Sequence, residues 1–142
     1  MPRADFYLID KPRFREEPLL LVCELARLCC EKARQPTLVL VRSAEQADAL
    51  DELLWEFDAD AFIPHQVAGS DEDDADTPVL IVAPGTDAPG RPLIINLRDA
   101  PVTLACERVL EVVAADEGER AGSRERWSIY KRRGFELAKH DM

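Results

Sequence analysis

The chain of 142 residues carries 28 acidic against 18 basic side chains, a formal net charge of -10, which argues against duplex DNA as a direct partner because phosphates would add anion to anion. Its length suits one domain able to bury a core without metals or disulfides, and 46% hydrophobic with 32% charged residues is the composition of a soluble globular protein. No stretch approaches the ~20 apolar residues of a membrane span, and the N-terminus lacks a long apolar run behind positive charge, so the expected location is the cytoplasm.

The run Phe6-Tyr7-Leu8-Ile9 predicts a first strand, closed by a loop at Asp10, Lys11 and Pro12. From about Glu17 to Arg34, Leu21, Cys23, Leu25, Leu28 and Cys29 recur at helical spacing until Pro36 stops the pattern, so a helix follows the strand. Cys23, Cys29 and Cys30 in that pattern read as reduced packing residues; with Cys106 they have neither C-x-x-C spacing nor a small disulfide-rich setting. Residues 37–41 are continuously apolar and β-favouring, as in a strand buried on both faces.

Ser43, three residues before Gln46, is a capping-box signature for a second helix reaching about Phe57, with Ala47, Leu50, Leu54 and Phe57 as its core stripe. Trp55 falls roughly 150° from the centre of that stripe, which turns its ring outward. Phe62, Ile63, Pro64 and His65 follow in an irregular setting, where Phe62 and Trp55 can form one apolar patch. His65 is expected to be a satisfied or exposed loop histidine, since no motif places a serine, cysteine or carboxylate partner beside it. The run Asp71-Glu72-Asp73-Asp74 with Asp76 reads as a solvated, mobile loop without the ligand order of a calcium site. Nothing in the spacing favours a zinc site at His65 or His140. No metal or cofactor is expected.

Residues 79–82 and 93–97 are further buried strands whose mutual direction stays open, because the Pro- and Gly-rich link between them is too short for an ordinary helical crossover. The run Val109 to Ala114 fits a fifth strand or the end of a helix, and its β-branched content favours the strand. Asp116-Glu117-Gly118 opens the last helix, where carboxylates complement the dipole. Alternating helices and nearly all-apolar strands imply a single α/β domain over residues 1–142, a largely parallel, doubly wound, Rossmann-like sheet of about five strands flanked by helices. The first strand-to-helix link lacks G-x-G-x-x-G, and G-x-x-x-x-G-K-[ST] is absent from the whole chain. No catalytic residue is assigned.

The stretch from Arg124 to Phe135 concentrates the positive charge of an acidic chain. On a helix, Arg120, Arg124, Trp127 and Lys131 share a narrow stripe with Ser123 and Tyr130 on its flank. Cations beside a large aromatic suit an acidic peptide carrying an apolar residue, because guanidinium groups pair with carboxylates while the indole supplies desolvated area. A surface helix anchored in the core by Trp127 and solubilised by its arginines fits the same spacing equally well.

The pattern R-E-R-W-x-x-Y-K-x-x-G-F, together with Asp5-Phe6-Tyr7-Leu8-Ile9 and the stretch L-D-E-L-L-W-E-F-D-A-D-A-F-I-P-H-Q-V-A-G over residues 50–69, resembles the chi subunit family of the bacterial DNA polymerase III holoenzyme, end to end and in matching order. The resemblance implies a non-catalytic adaptor in DNA replication. It would join the psi subunit to reach the clamp loader, and grip the acidic, phenylalanine-ending C-terminal tail of single-stranded-DNA-binding protein. Carried over residue by residue, the tail site is Arg120, Arg124, Trp127, Ser128 and Lys131, and the psi-facing patch is Trp55, Phe62 and Pro64. The sequence departs from the family pattern where Trp127 replaces an expected tyrosine and Ser128 a common lysine, removing one cationic contact and leaving Arg132 and Arg133 to compensate. The alternative is a small nucleotide-binding protein or enzyme using the C-terminal edge of the sheet. That reading requires a convergent polar pocket, such as one lined by Asp10, Ser43 and Asn96.

Overall fold

The computed structural model of the chain describes residues 2–57, 63–69 and 72–142. In chain order it contains β1 (Arg3–Leu8), α1 (Pro12–Glu16), α2 (Pro18–Leu28), a π-helical turn (Cys29–Ala33), β2 (Thr37–Leu40), α3 (Ala44–Glu56), β3 (His65–Val67), a 3-10 turn (Glu72–Asp76), β4 (Val79–Val82), β5 (Leu93–Asn96), β6 (Arg108–Val113), α4 (Glu117–Arg132) and β7 (Glu136–Asp141). The strands form one sheet in the order β3-β4-β2-β5-β6-β1-β7, and every pairing is parallel. The two strands beyond the expected five are its edges. β3 lies in the stretch expected to be irregular, and β7 lacks the apolar run that marks the inner strands of a covered parallel sheet.

Prolines and side-chain caps set the helix starts. Pro12 and Pro18 occupy the first turns of α1 and α2, where a missing N–H leaves no hydrogen bond unmade. The expected loop at Pro12 is therefore already helical, and a short helix precedes the one expected from about Glu17 to Arg34, which is present as α2 continued by the π-helical turn. Ser43 Oγ accepts the Gln46 N–H at 3.1 Å, while Gln46 Oε1 accepts the Arg42 N–H at 2.8 Å, one residue upstream of the usual capping-box donor. The acidic run differs from the expected mobile loop: Glu72–Asp76 forms the 3-10 turn, with Asp71 outside the described residues. The Asp74 carboxylate accepts the Gly69 N–H at 2.8 Å, and its carbonyl accepts a hydrogen bond from Arg91 at 2.7 Å. The same buried guanidinium donates to the Thr37 and Thr77 carbonyls, tying off the chain where it enters β2 and β4.

Helices cover both faces of the sheet. Phe14, Leu21, Leu25, Leu50 and Leu54 from α1, α2 and α3 meet Val39, Ile81 and Ile95 on one side, and Tyr130 of α4 is buried with Phe6, Ile94 and Val109 on the other. The four cysteines are free, with Cys23 and Cys29 in the first core; burial pushes the Cys23 thiol up to about 12. Both β4 and β5 run parallel to β2, which lies between them, and this resolves their relative direction. Their helix-free link packs so closely on a neighbouring loop that a Cβ on Gly90 would stand 2.1 Å from the Ala105 carbonyl oxygen.

A buried polar network joins α4 to the sheet. Glu111 of β6 is 0% exposed and accepts from Asn96 Nδ2 at 2.9 Å and from the Tyr130 hydroxyl at 2.8 Å. Arg126 Nε stands 3.3 Å from the same carboxylate, and Val102 N–H donates to the Tyr130 oxygen at 2.8 Å. Burial pushes the Glu111 carboxyl up to about 6, against the attraction of Arg126 and the hydrogen bonds from Asn96 and Tyr130. One register step away, on the opposite face of the sheet, buried Asp5 accepts from Arg3 at 3.0 Å, Arg108 at 2.7 Å and His140 at 2.9 Å. Burial alone would raise the Asp5 carboxyl, but hydrogen bonds from Arg3, His140 and Arg108 outweigh it and hold the group below its usual range.

The two carboxylates give stability opposite slopes with pH. Glu111, raised on folding, contributes stability below its unfolded value that is lost as pH rises through about 6; Asp5, depressed on folding, contributes above its unfolded value and loses that contribution as pH falls through the lower folded one. Urea unfolding across pH 3–8 is expected to lose its Glu111 component in Glu111→Gln and its acid-limb component in Asp5→Asn. At pH 7, Glu111→Leu is expected to cost about 3–5 kcal/mol by stranding the Arg126 charge, part of it recovered in Glu111→Leu/Arg126→Met.

Candidate functional site

The C-terminal turn of α4 builds the site. Gly134 lies at φ +85° directly after the helix cap, the Gly134 N–H donates to the Lys131 carbonyl, and the Phe135 N–H donates to the Tyr130 carbonyl, both at 3.1 Å. This paired closure is a Schellman motif. Its usual hydrophobic contact is present as the Tyr130 and Phe135 rings, 5.1 Å apart. The motif reverses the chain into β7, which pairs with β1 in the register Phe6–Lys139 and Leu8–Asp141. A cleft of about 430 Å³ is thereby left between α4 and the outer strands, lined by Phe6, Leu8, Arg120, Ser123, Arg124, Trp127, Ser128 and Lys139.

Four of the five residues expected in one site therefore face one cavity. Trp127 is half-buried, with its ring centroid 5.2 Å from that of Phe6, so it is both core anchor and cleft wall. Arg120 is fixed by a hydrogen bond to the Ile9 carbonyl at 3.2 Å, whereas the Arg124 side chain is 68% exposed, 3.3 Å from Glu117. Lys131 is exposed but is not among the residues lining the cleft. Nor do all the other basic residues of the stretch form a common face. Arg126 turns inward to Glu111, and Arg133 donates to the Val102 carbonyl at 2.8 Å. Helical spacing alone missed Phe6, Leu8 and Lys139, because they come from strands paired across the whole length of the chain.

A second feature lies on the opposite face and towards the opposite edge of the sheet. Trp55 is 58% exposed on α3, as its helical phase predicts, beside exposed Glu52 and Glu56. Its ring centroid is 4.9 Å from that of His65, whose nitrogens lie 2.6 Å from the Ile63 carbonyl and 3.2 Å from the Asp51 carbonyl. His65 is thus a satisfied histidine, in a strand rather than a loop. Pro64 is half-buried next to it; Phe62 lies outside the described residues. At the C-terminal edge of the sheet, Asp10 pairs with Arg15, Ser43 caps α3 and Asn96 is held by Glu111 and the Ala100 carbonyl. These three are engaged separately, each within the fold.

Comparison with known proteins bears on the family. Residues 1–138 match the family model described as "DNA polymerase III chi subunit, HolC". The chain is 33% identical to DNA polymerase III subunit chi of Pseudomonas aeruginosa, with 100% of this chain and 98% of that one covered. It is 32% identical to DNA polymerase III subunit chi of Escherichia coli, over 96% of each. In fold alone it is similar to the C-terminal domain of the DEAD-box protein Dbp5, with a TM-score of 0.66 at 12% identity over 99% of this chain and 90% of that one. A longer chain from a structure of S. cerevisiae Dbp5 gives a TM-score of 0.67 at 12% identity, 99% of this chain spanning 42% of it. From the family match and the full-length relatives, this chain belongs to the DNA polymerase III chi subunit family.

Proposed function

We propose that the protein is a non-catalytic adaptor of DNA polymerase III, whose α4 cleft takes the acidic, phenylalanine-ending C-terminal tail of single-stranded-DNA-binding protein. The observation that carries this reading is the convergence of Arg120, Arg124 and Trp127 on one cleft floored by Phe6 and Leu8. Its lining contains cations, hydroxyls and apolar groups and no carboxylate. A ligand fitting it presents an apolar ring to Trp127 and Phe6 and carboxylates to the arginines. The Trp55 and Pro64 surface, with Phe62, joins the psi subunit and through it the clamp loader; an exposed tryptophan is the residue type that dominates binding energy at interfaces. The two surfaces lie on opposite faces, towards opposite edges of a seven-stranded sheet, roughly 30 Å apart at ~4.8 Å per strand, so both partners bind at once. The formal charge of -10 leaves single-stranded-DNA-binding protein, not this chain, to hold the DNA. Its place of action is the cytoplasm; among the described residues no helix is long and apolar enough to cross a membrane.

Tail binding is expected at micromolar affinity, weakening as salt rises because exposed pairs are screened within about 10 Å at ~0.1 M. Arg124→Ala is expected to weaken it by roughly tenfold with the fold intact. Fluorescence anisotropy with a labelled tail peptide checks this, and no dependence on the terminal phenylalanine would remove the cleft from the account. Trp55→Ala is expected to leave the melting temperature nearly unchanged and to abolish co-purification with the psi subunit; a large stability loss with psi still bound sinks that assignment.

A further inference from the structure

Resting on the tail-binding reading above, we infer that Lys139 of β7 joins the arginines as a ligand-pairing cation of the cleft, engaging a carboxylate of the acidic peptide other than the one held by Arg124. The two cations belong to different walls. Arg124 projects from the helix, whereas Lys139 is the register partner of Phe6, and registered neighbours in a parallel sheet present their side chains to the same face. Lys139 therefore stands on the sheet side of the cleft, across the aromatic floor from α4.

The chemistry of the helix wall makes this position consequential. Ser128 brings no charge to the cleft, and its hydroxyl donates to the Arg124 carbonyl at 3.2 Å. Arg133 is fixed on the Val102 carbonyl, and neither Arg132 nor Arg133 lines the cleft, so neither makes up the missing cation. Arg120 has donated one guanidinium nitrogen to the Ile9 carbonyl, and Arg124 stands near Glu117. Lys139 is exposed and, among the described residues, has neither an ion pair nor a side-chain hydrogen bond. A lysine is a compact charge on a flexible stem, suited to follow a side-chain carboxylate on a mobile peptide. With Trp127 and Phe6 between the two cations, a peptide lies across the cleft, its apolar end on the rings and its carboxylates divided between helix and strand.

The test is a peptide–protein mutant cycle on the full chain by fluorescence anisotropy. The probe is a nonapeptide rich in aspartate and ending in phenylalanine, together with variants carrying single Asp→Asn changes. Lys139→Met is expected to weaken the parent peptide by about fivefold with an unchanged melting temperature. One Asp→Asn change is expected to weaken binding to the wild-type chain but not to Lys139→Met, and a coupling of this kind assigns the pair. Ser128→Lys introduced into Lys139→Met is expected to restore part of the affinity. If the wild-type chain binds, Arg124→Ala weakens binding roughly tenfold and Lys139→Met binds as wild type, the Lys139 assignment is overturned while the cleft stands. If the wild-type chain does not bind the peptide, both fall.

Discussion

The contact on which the site depends is the burial of Glu111 against Arg126, Asn96 and Tyr130. Helix α4 is poor in apolar residues: its buried side chains are Ser123, Arg126 and Tyr130, with Trp127 half-buried beside them. Dispersion and hydrophobic burial alone give such a helix little preference for one position on a sheet. Buried hydrogen bonds and an internal ion pair supply that preference, because each group left unmatched in a dry interior is costly and few geometries satisfy all of them. The cleft is the gap that remains once α4 is held in that position. Its width is set from the inner side of the helix, by residues that do not line it.

That division explains why the fold was more legible in the sequence than the site. Inner parallel strands are buried on both faces and reveal themselves as apolar runs, as at residues 37–41, 79–82 and 93–97. The outward phase of Trp55 and the cap at Ser43 were equally readable, since both follow from local periodicity. The edges were not. β7 reads Glu-Leu-Ala-Lys-His-Asp, mostly polar because solvent reaches it, and β3 has only three residues, too few for periodicity to register. The acidic run at residues 72–76 was misread because its order comes from distant partners: Arg91 reaches into it from beyond β4.

The site was legible along the helix and illegible across it. Spacing placed Arg120, Arg124 and Trp127 together, as any regular helix would. It also counted Lys131 in the stripe and left Arg133 to compensate for Ser128, although Arg133 is spent on a loop carbonyl, and the charge concentrated from Arg124 to Phe135 includes Arg126, which reaches inward to a strand carboxylate. One-dimensional charge density does not distinguish an arginine that neutralises a buried acid from one that meets a ligand. The strand contributions, Phe6 and Lys139, depend on the pairing of β1 with β7, a long-range register that no local pattern in a single sequence encodes.

The same pairing has a consequence for how the chain is made. β1 lies between β6 and β7, so the strand synthesised before the others has both its neighbours among the last. At ~5–20 residues per second, on the order of ten seconds pass before β6 follows it out of the ribosome. Through that interval the segment Phe6-Tyr7-Leu8-Ile9 is an apolar strand with neither edge covered, the kind of stretch that associates with other nascent chains. Asp5 immediately precedes it, and Arg3 lies two residues further upstream. The carboxylate that ends up beneath Arg3, Arg108 and His140 begins as a charge at the margin of an unprotected strand, opposing intermolecular pairing until its own partners arrive.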